Sequence, residues 1–367
     1  MYSWQFSDWP NFTYDSNAFR TGVDSYTNRV TQLLERIGQL SNEDIYQYLV
    51  DRLVEEAITT SSIEGEKIGR EDLVSSVMNN LNIGGRLLSE HQTVSDLRAR
   101  AIGRQIVLNR ETFADPLTET ALKYWHELLL GYDDRLKVVG EYRRGKSPMR
   151  IVSGPAYRQK IHYEAPPADR VPREMTRLVS YCNASVTEDD CPVLRAGVAH
   201  FWFESIHPFE DGNGRIGRAL LEKLLSQHLG AFIPFSLSHA IEQRRKEYYA
   251  ALRDSQTSLD ITPWMTYFCN VLSEAVTYAE ELVEFTVRKH AYFQRYGDLL
   301  NEHESKAIKK MFAAGPSGFT GGMTNRKYVS INRVSPSTAA RALHRLAKIG
   351  ALQMQGAGRS VHYVLPT

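Results

Sequence analysis

The residues best suited to chemistry lie together in one segment, which runs from His207 to Arg218 and reads HPFEDGNGRIGR. His207 carries the side chain whose ordinary pKa lies nearest neutrality, so it is the candidate general base, a role typically worth about 10²–10⁴-fold in rate. Asp211 offers a hard oxygen ligand, which suits Mg²⁺ that is also held by phosphate oxygens. A base and a carboxylate this close together favour a reaction on a phosphate-containing substrate.

The middle of the segment has the features of an anion site. Gly212, Asn213 and Gly214 form a turn that opens a helix, and such a turn exposes successive backbone N–H groups where the helix dipole adds partial positive charge. Arg215 and Arg218 are three residues apart and therefore share one helix face, so both guanidinium groups can reach one polyphosphate. The combined pattern predicts phosphoryl or nucleotidyl transfer.

Two predicted helices position these side chains. The apolar run 193–206 is too long for an ordinary strand and predicts a largely buried helix. This helix must end near His207, because Pro208 biases the residue before it away from helical geometry. A second helix is predicted from about Gly214, with its buried face marked by Ile216, Leu220 and Leu224. The imidazole should therefore lie at the edge of a turn that the core supports.

A third predicted helix precedes the site in the chain. The segment Ser41–Asp44 is typical of an N-terminal capping box, and Ile45, Leu49, Leu53 and Ala57 then form one apolar face of the helix. Gly65 suits the C-terminus of this helix, which leaves Glu64 in the last turn, where the helix dipole disfavours an acid by about 0.3–1 kcal/mol. A glutamate at this position is better explained if an arginine pairs with it.

The segment HPFEDGNGRIGR resembles the core motif of the Fic family of protein adenylyltransferases. The resemblance implies that His207 deprotonates a hydroxyl group of a target protein, which attacks the α-phosphate of ATP and retains AMP as pyrophosphate leaves. It implies that Asp211 holds Mg²⁺. It also implies that Gly212, Asn213 and Gly214 line the anion hole. Arg215 and Arg218 would bind the outer phosphates.

Further roles follow from the same resemblance. Thr60, Glu64 and Gly65 match the inhibitory motif Ser/Thr-x-x-x-Glu-Gly/Asn of Fic proteins that carry their inhibitor before the core. We therefore hypothesise that Glu64 pairs with Arg218 and prevents ATP from binding in line for attack. A second role for Glu64, positioning a water for AMP removal, stays open. The resemblance also places Tyr249 against adenine, and it implies a homodimer.

The predicted fold class is mainly α: a Fic-type helical bundle with a short β-hairpin flap and a small C-terminal winged helix. The predicted domains are 1–110, which contains the inhibitory helix at about 42–65, then the catalytic core 111–290 and the winged helix 291–367. Residues 140–155 are predicted to form a short hairpin or an irregular flap. The resemblance implies that an extended target segment adds along this flap as a strand. The aromatic residues before position 15 should form an apolar strap over the helical body.

Residues 17–37, 90–109 and 117–130 are each predicted to be a helix. Residues 236–252 should form one helix, and a long helix should run from about 260 to 300. These spans complete the predicted helical body.

Charge separates the C-terminal region from the rest of the chain. The net charge is +1, yet residues 305–367 contain ten Lys and Arg and no Asp or Glu. Three helical patterns followed by two β-like pieces resemble a winged helix, with Ser337, Thr338 and Arg341 on its recognition helix and Arg359 at the wing tip. A basic module of this kind favours DNA as a partner of residues 303–367. A dimerisation or target-docking module is the alternative.

Composition bounds the remaining possibilities. The 367 residues are 42% hydrophobic and 24% charged, as in globular proteins, and contain no apolar run of about 18 residues that would predict a transmembrane helix. Three cysteines without metal-site spacing are expected to be free thiols, and a cytoplasmic location is the default expectation. Two alternative functions stay open: a DNA-binding regulator with a secondary or inactive Fic core, and Fic-fold transfer of phosphate or another nucleotide.

Overall fold

The computed structural model describes residues 1–83, 86–87, 93–153, 158, 160–185, 191–316 and 318–366. Within these residues fourteen α-helices and three two-stranded antiparallel sheets are present. The helices are α1 Arg20–Gly38, α2 Asn42–Ile63, α3 Arg70–Asn80, α4 Leu97–Glu111, α5 Glu119–Leu130, α6 Val171–Asn183, α7 Pro192–Ile206, α8 Asn213–Leu229, α9 Leu237–Gln243, α10 Arg245–Ser255, α11 Thr262–Tyr296, α12 Glu302–Phe312, α13 Asn325–Asn332 and α14 Pro336–Lys348. The strands are β1 Asn82–Ile83, β2 Arg86–Leu87, β3 Arg150–Ser153, β4 Lys160–Glu164, β5 Gln353–Gln355 and β6 His362–Val364. The prediction of a mainly helical chain is confirmed.

Residues 1–35 and 49–278 form one compact unit, whose centre is the pair α7 and α8. α7 is buried on nearly all sides, as its unbroken apolar sequence predicts. Gly197 lets the N-terminal part of α11 approach α7 closely, because a Cβ at this position would collide with the ring of Phe268. The indole N–H of Trp264 donates to the Gly197 carbonyl at 2.8 Å. This packing fixes the helix that carries the candidate base.

The N-terminal aromatic segment lies against this unit, as predicted. Trp9 Nε1 donates to Glu174 Oε2 at 3.0 Å. The Phe12 ring meets Phe201 and Trp202 edge to face, with centroids 5.3 and 6.2 Å apart. The segment therefore covers the outer side of α7 with aromatic area, which is the largest hydrophobic contribution that single side chains can make.

Several predicted boundaries are wrong, each for a local reason. The expected single helix 236–252 is two helices, because Arg244 between them has φ −117° and ψ 33°. α4 begins at Leu97, seven residues after the predicted start, since the side chain of Asp96 caps it by accepting from the Arg98 N–H.

The flap is also different from the prediction. Its two strands are Arg150–Ser153 and Lys160–Glu164, and the second lies wholly beyond the predicted range. Positions 154 and 155 of that range lie outside the described residues. The segment between 140 and 149 is irregular backbone, with positive φ at Gly140 and Gly145.

Residues 36–48 and 279–367 form the second compact unit. In it α12, α13 and α14 are followed by the β5–β6 hairpin. Arg345 Nη1 bonds to the buried carboxylate of Glu304 at 2.5 Å, which stabilises α14 against α12. Ser337 and Arg341 are exposed on α14 and Thr338 is half-buried. The winged-helix assignment, DNA binding and the three-domain division stay predictions, and the side chain of the predicted wing-tip Arg359 lies outside the described set.

Among the described residues, no helix combines the length and the apolar character needed to cross a bilayer.

Candidate functional site

The turn between α7 and α8 forms the floor of the site. His207 ends α7 in the left-handed region, with φ 50° and ψ 62°, a conformation that is uncommon outside glycine. The side chain of Asn213 accepts from the Phe209 N–H at 2.9 Å and donates to the Phe209 carbonyl at 3.0 Å. Gly212, with φ 77°, completes the turn. Because the side-chain amide of Asn213 is engaged within the turn, the backbone N–H is the group of this residue that is left to bind an anion.

The imidazole of His207 is partly buried, and its Nδ1 is fully enclosed. Burial, followed by the nearby cation of Arg143, lowers the pKa of His207 to about 4. The ring is therefore neutral at pH 7, which is the form that accepts a proton. Since Nδ1 is enclosed, Nε2 is the nitrogen that a substrate can reach.

Arg143 is a part of the site that sequence reasoning missed. It is buried, and within the described part of the chain its guanidinium donates to three carbonyl oxygens: His207 at 2.7 Å, Pro166 at 2.6 Å and Ile206 at 3.2 Å. Its backbone N–H donates to the Pro208 carbonyl at 2.9 Å. The cation thus closes the carbonyl end of α7, where positive charge is favourable. It holds the flap base and the left-handed turn at His207 together.

A change of this arginine should be visible in the titration of His207. In Arg143→Met we expect the pKa of His207 to rise toward its ordinary value without reaching it, because burial remains while the neighbouring cation is gone. NMR titration of ring-labelled histidine measures this shift directly. Arg144→Met, which removes an exposed charge one residue away, is the control and should leave the pKa unchanged. An unmoved His207 in Arg143→Met would contradict the electrostatic role.

A second missed residue is His126 on α5. Its ring stacks on Phe209 with centroids 4.3 Å apart, and its Nδ1 accepts from the Gly140 N–H at 2.9 Å. Burial lowers the pKa of His126 to about 4, so this ring is also neutral. It connects the start of the flap to the motif turn.

Arg218 forms the ion pair predicted for it. Its side chain is 1% exposed, and Nη2 lies 2.9 Å from Glu64 Oε1. Its Nε donates to the Thr60 hydroxyl at 2.8 Å, and Nη2 donates to the Thr60 carbonyl at 2.9 Å. The Glu64 carboxylate lies directly on Gly214, where any Cβ would collide with Oε1. The last turn of α2 therefore occupies the N-terminus of α8, where an anion would bind.

Arg215 has a carboxylate partner of its own, which the sequence did not reveal. Its Nη1 lies 3.1 and 3.2 Å from the two carboxylate oxygens of Glu66. Asp211 Oδ2 is 3.8 Å from Arg215 Nη2. The Arg215 side chain is 4% exposed and that of Glu66 27%. Each of the two predicted phosphate-binding arginines is thus neutralised by a different acid from the end of α2.

One helix-end motif delivers both acids. The N–H of Glu66 donates to the Ser61 carbonyl at 3.0 Å, and that of Gly65 donates to the Ser62 carbonyl at 2.9 Å. This pair of bonds is a Schellman motif, in which Gly65 takes the left-handed position with φ 83°. The chain reverses at Gly65, so Glu64 and Glu66 point at neighbouring arginines. The glycine that the sequence assigned to a helix end is required by this geometry.

Upstream of this cap, α2 is fastened by buried polar contacts. Arg52 pairs with Glu222 and donates from Nε to the Phe235 carbonyl at 2.9 Å. Glu56 accepts from the Ser236 hydroxyl at 2.7 Å and from the Ser238 N–H at 3.2 Å. These groups are nearly inaccessible to solvent. Buried polar groups that have partners are costly to separate, so this part of α2 is held firmly.

The two tyrosines of α10 have different environments. Tyr248 is buried and its hydroxyl lies 3.0 Å from His200 Nε2, so it belongs to the core. Tyr249 is 41% exposed, and its hydroxyl donates to the Ile63 carbonyl at 3.4 Å. Tyr249, which is predicted to contact adenine, thus presents an accessible ring beside the C-terminal cap of α2.

The carboxylates of the site can be compared with what the predicted Mg²⁺ requires. No group of three or more His, Cys, Asp or Glu that could hold a metal occurs among the residues that the structure describes. Asp211 presents a side chain that is 57% exposed, with Oδ1 accepting from the Gly212 N–H at 2.7 Å. A single carboxylate fits Mg²⁺ that takes its remaining ligands from water and phosphate oxygens.

Comparison with known proteins gives consistent matches. Residues 116–225 match the model of the Fic/DOC family, and residues 2–83 match a domain of unknown function (DUF4172). The protein adenylyltransferase Fic of Aedes aegypti is 24% identical over 251 residues, which are 66% of this chain and 48% of that protein. That of Drosophila ananassae is 27% identical over 213 residues, 58% of this chain and 38% of the relative. The chain therefore matches about half or less of the length of these relatives.

Two solved structures share the fold. A Fic family protein from Desulfovibrio desulfuricans has a TM-score of 0.53 at 20% identity, covering 94% of this chain and 96% of its own. A Fic domain containing signaling protein from Bacteroides thetaiotaomicron has a TM-score of 0.54 at 21% identity, covering 72% of this chain and 98% of its own.

Proposed function

The chain carries a Fic/DOC family domain in residues 116–225, and from this premise we propose that it is a protein adenylyltransferase that transfers AMP from ATP to a hydroxyl side chain of a target protein. The observation that carries the proposal is the neutral imidazole of His207 beside a helix N-terminus with two buried arginines. Nucleotidyl transfer to an alcohol requires a general base next to a polyphosphate-binding site.

The proposed reaction assigns one task to each group. Nε2 of His207 takes the proton of the target hydroxyl, whose oxygen bonds to the α-phosphorus as the bond to the bridging oxygen of pyrophosphate breaks. Arg215 and Arg218 bind the outer phosphates, and the backbone N–H groups that begin at Asn213 face the anion. Mg²⁺ held by Asp211 would supply charge neutralisation on the phosphates. Tyr249 lies against the adenine.

We further propose that the described conformation is the repressed one. With Glu64 on Arg218 and over Gly214, the γ-phosphate of ATP has no free guanidinium and no free helix end to occupy. Resemblance to curated adenylyltransferases supports the donor and the acceptor class, and the ion pair supports the repression. Removal of AMP with a water positioned by Glu64 is a second activity for the same site.

The position of a radiolabel tests the proposed reaction. The purified Glu64→Gly protein is incubated with Mg²⁺ and ATP labelled at the α or the γ phosphate, with the chain itself and a cell extract as acceptors. We expect protein-bound label from the α position alone, since pyrophosphate leaves. Label retained from the γ position would instead support phosphate transfer, and no label from either would remove ATP as the donor.

A further inference from the structure

The end of α2 presents two carboxylates to the phosphate site rather than one. The Schellman motif around Gly65 directs Glu64 to Arg218 and Glu66 to Arg215. The two ion pairs use different acids and different guanidinium groups. They are therefore separable by substitution, although one backbone turn produces both.

We propose that Glu66 is a second inhibitory residue, which withholds Arg215 from the phosphates of the nucleotide independently of Glu64. This inference rests on the proposed function in that it takes Arg215 and Arg218 as the phosphate ligands. Arg215 is almost fully buried, and both oxygens of Glu66 lie within hydrogen-bond distance of its Nη1. The carboxylate therefore occupies hydrogen-bonding positions on this nitrogen that a phosphate oxygen would need.

The surroundings of Arg215 favour competition between Glu66 and phosphate. Asp211 is a second acid near this guanidinium, at 3.8 Å, and its side chain is 57% exposed. Asp133 also interacts electrostatically with Arg215. Arg98 and Tyr132 lie close enough to Glu66 to interact with it electrostatically. When Gln replaces Glu66, the positive charge of Arg215 loses its nearest carboxylate and stays in place at the start of α8. A polyphosphate can then pair with Arg215 without first displacing the carboxylate of Glu66.

The consequence is that removing Glu64 frees only half of the phosphate site. In a Glu64→Gly protein, Arg218 is open while Arg215 is still paired. Adding Glu66→Gln should then tighten the binding of any ligand that carries outer phosphates, and it should leave AMP, which has none, unaffected. Glutamine keeps the shape of the side chain and the backbone turn, so the substitution removes charge alone.

Calorimetric titration of ATP, inorganic tripolyphosphate and AMP tests this directly. The proteins are Glu64→Gly, Glu66→Gln and the double variant, with thermal melting to confirm that each is folded. We expect the double variant to bind ATP and tripolyphosphate roughly tenfold more tightly than Glu64→Gly at low salt, as for the loss of one competing charge-assisted bond. The gain should shrink as ionic strength rises, because the pair is partly exposed.

A matched charge control separates the site from the overall charge. Glu111 is exposed at the end of α4, so Glu64→Gly with Glu111→Gln changes the net charge equally. Equal tightening in this control, or none in the Glu66→Gln double variant, overturns the inference. If the double variant binds tripolyphosphate tightly yet no AMP is ever transferred, the proposed function fails while the inhibitory role of Glu66 stands.

Discussion

Replacing Glu64 with Gly is expected to raise the rate of AMP transfer by about 10- to 100-fold. The parent chain holds Arg218 with a charge-assisted bond of 2.9 Å, and hydrogen bonds to charged groups contribute about 1.5–3 kcal/mol. Each 1.4 kcal/mol corresponds to a factor of ten, which gives the expected range. The substitution also clears the space over Gly214 where Glu64 now lies.

The rate is measured as AMP bound to protein over time, with α-labelled ATP and Mg²⁺. Glu64→Gln should give an intermediate rate, since it loses the charge but keeps an amide over the helix end. Glu111→Gly, an exposed acid replaced in the same way, serves as the control and should behave as the parent. Should the Glu64→Gly protein label itself and other proteins no faster than the parent, repression by Glu64 is refuted.

Replacing His207 with Ala in the Glu64→Gly protein is expected to lower transfer by about 10²–10⁴-fold, the usual contribution of a general base. ATP affinity should stay the same, because the phosphate ligands are on α8 and the imidazole is not among them. Calorimetry and the transfer assay together distinguish this outcome from loss of binding. His344→Ala, which removes an exposed ring elsewhere in the chain, is the control.

The pH dependence adds an independent check on the same residue. Below its pKa the imidazole is protonated and cannot accept a proton, so the rate falls on the acid side of that value. Burial and the cation of Arg143 lower this pKa to about 4, and the transfer rate should therefore not fall as pH decreases from 8 through 6.5 to 5. An acid limb near pH 6.5, the ordinary value for histidine, would contradict the lowered pKa of His207.

Much of the site was predictable because its information is local in the chain. Pro208 fixes the end of α7, and the apolar spacing that follows fixes the direction of α8. The capping pattern at Ser41 is also present, with the Ser41 hydroxyl accepting from the Asp44 N–H at 3.1 Å. The pairing of Glu64 with Arg218 was predicted from a resemblance, since 154 residues separate the two in sequence.

The missed features depend on contacts that no local pattern records. Glu66 lies in a polar stretch, where a glutamate is normally solvated, and only the reversal at Gly65 turns it to Arg215. The sequence around Arg143 is typical of a surface flap, so a solvated arginine would be expected there. In the structure its guanidinium instead donates to the carbonyls of Ile206 in α7 and of Pro166. Strand Lys160–Glu164 escaped the prediction because it is short and buries one side chain, that of Tyr163, which gives a weak alternation signal.

The buried polar contacts of α2 limit how the proposed repression can be relieved. Withdrawing the whole helix would carry Arg52 away and leave Glu222 on α8 as a buried charge without its partner, a penalty that typically reaches several kcal/mol. It would also leave Glu56 without its serine donors. Relief of the proposed repression therefore requires unwinding of the final turn around Gly65 alone, and the body of α2 can stay in place while the proposed phosphate site opens.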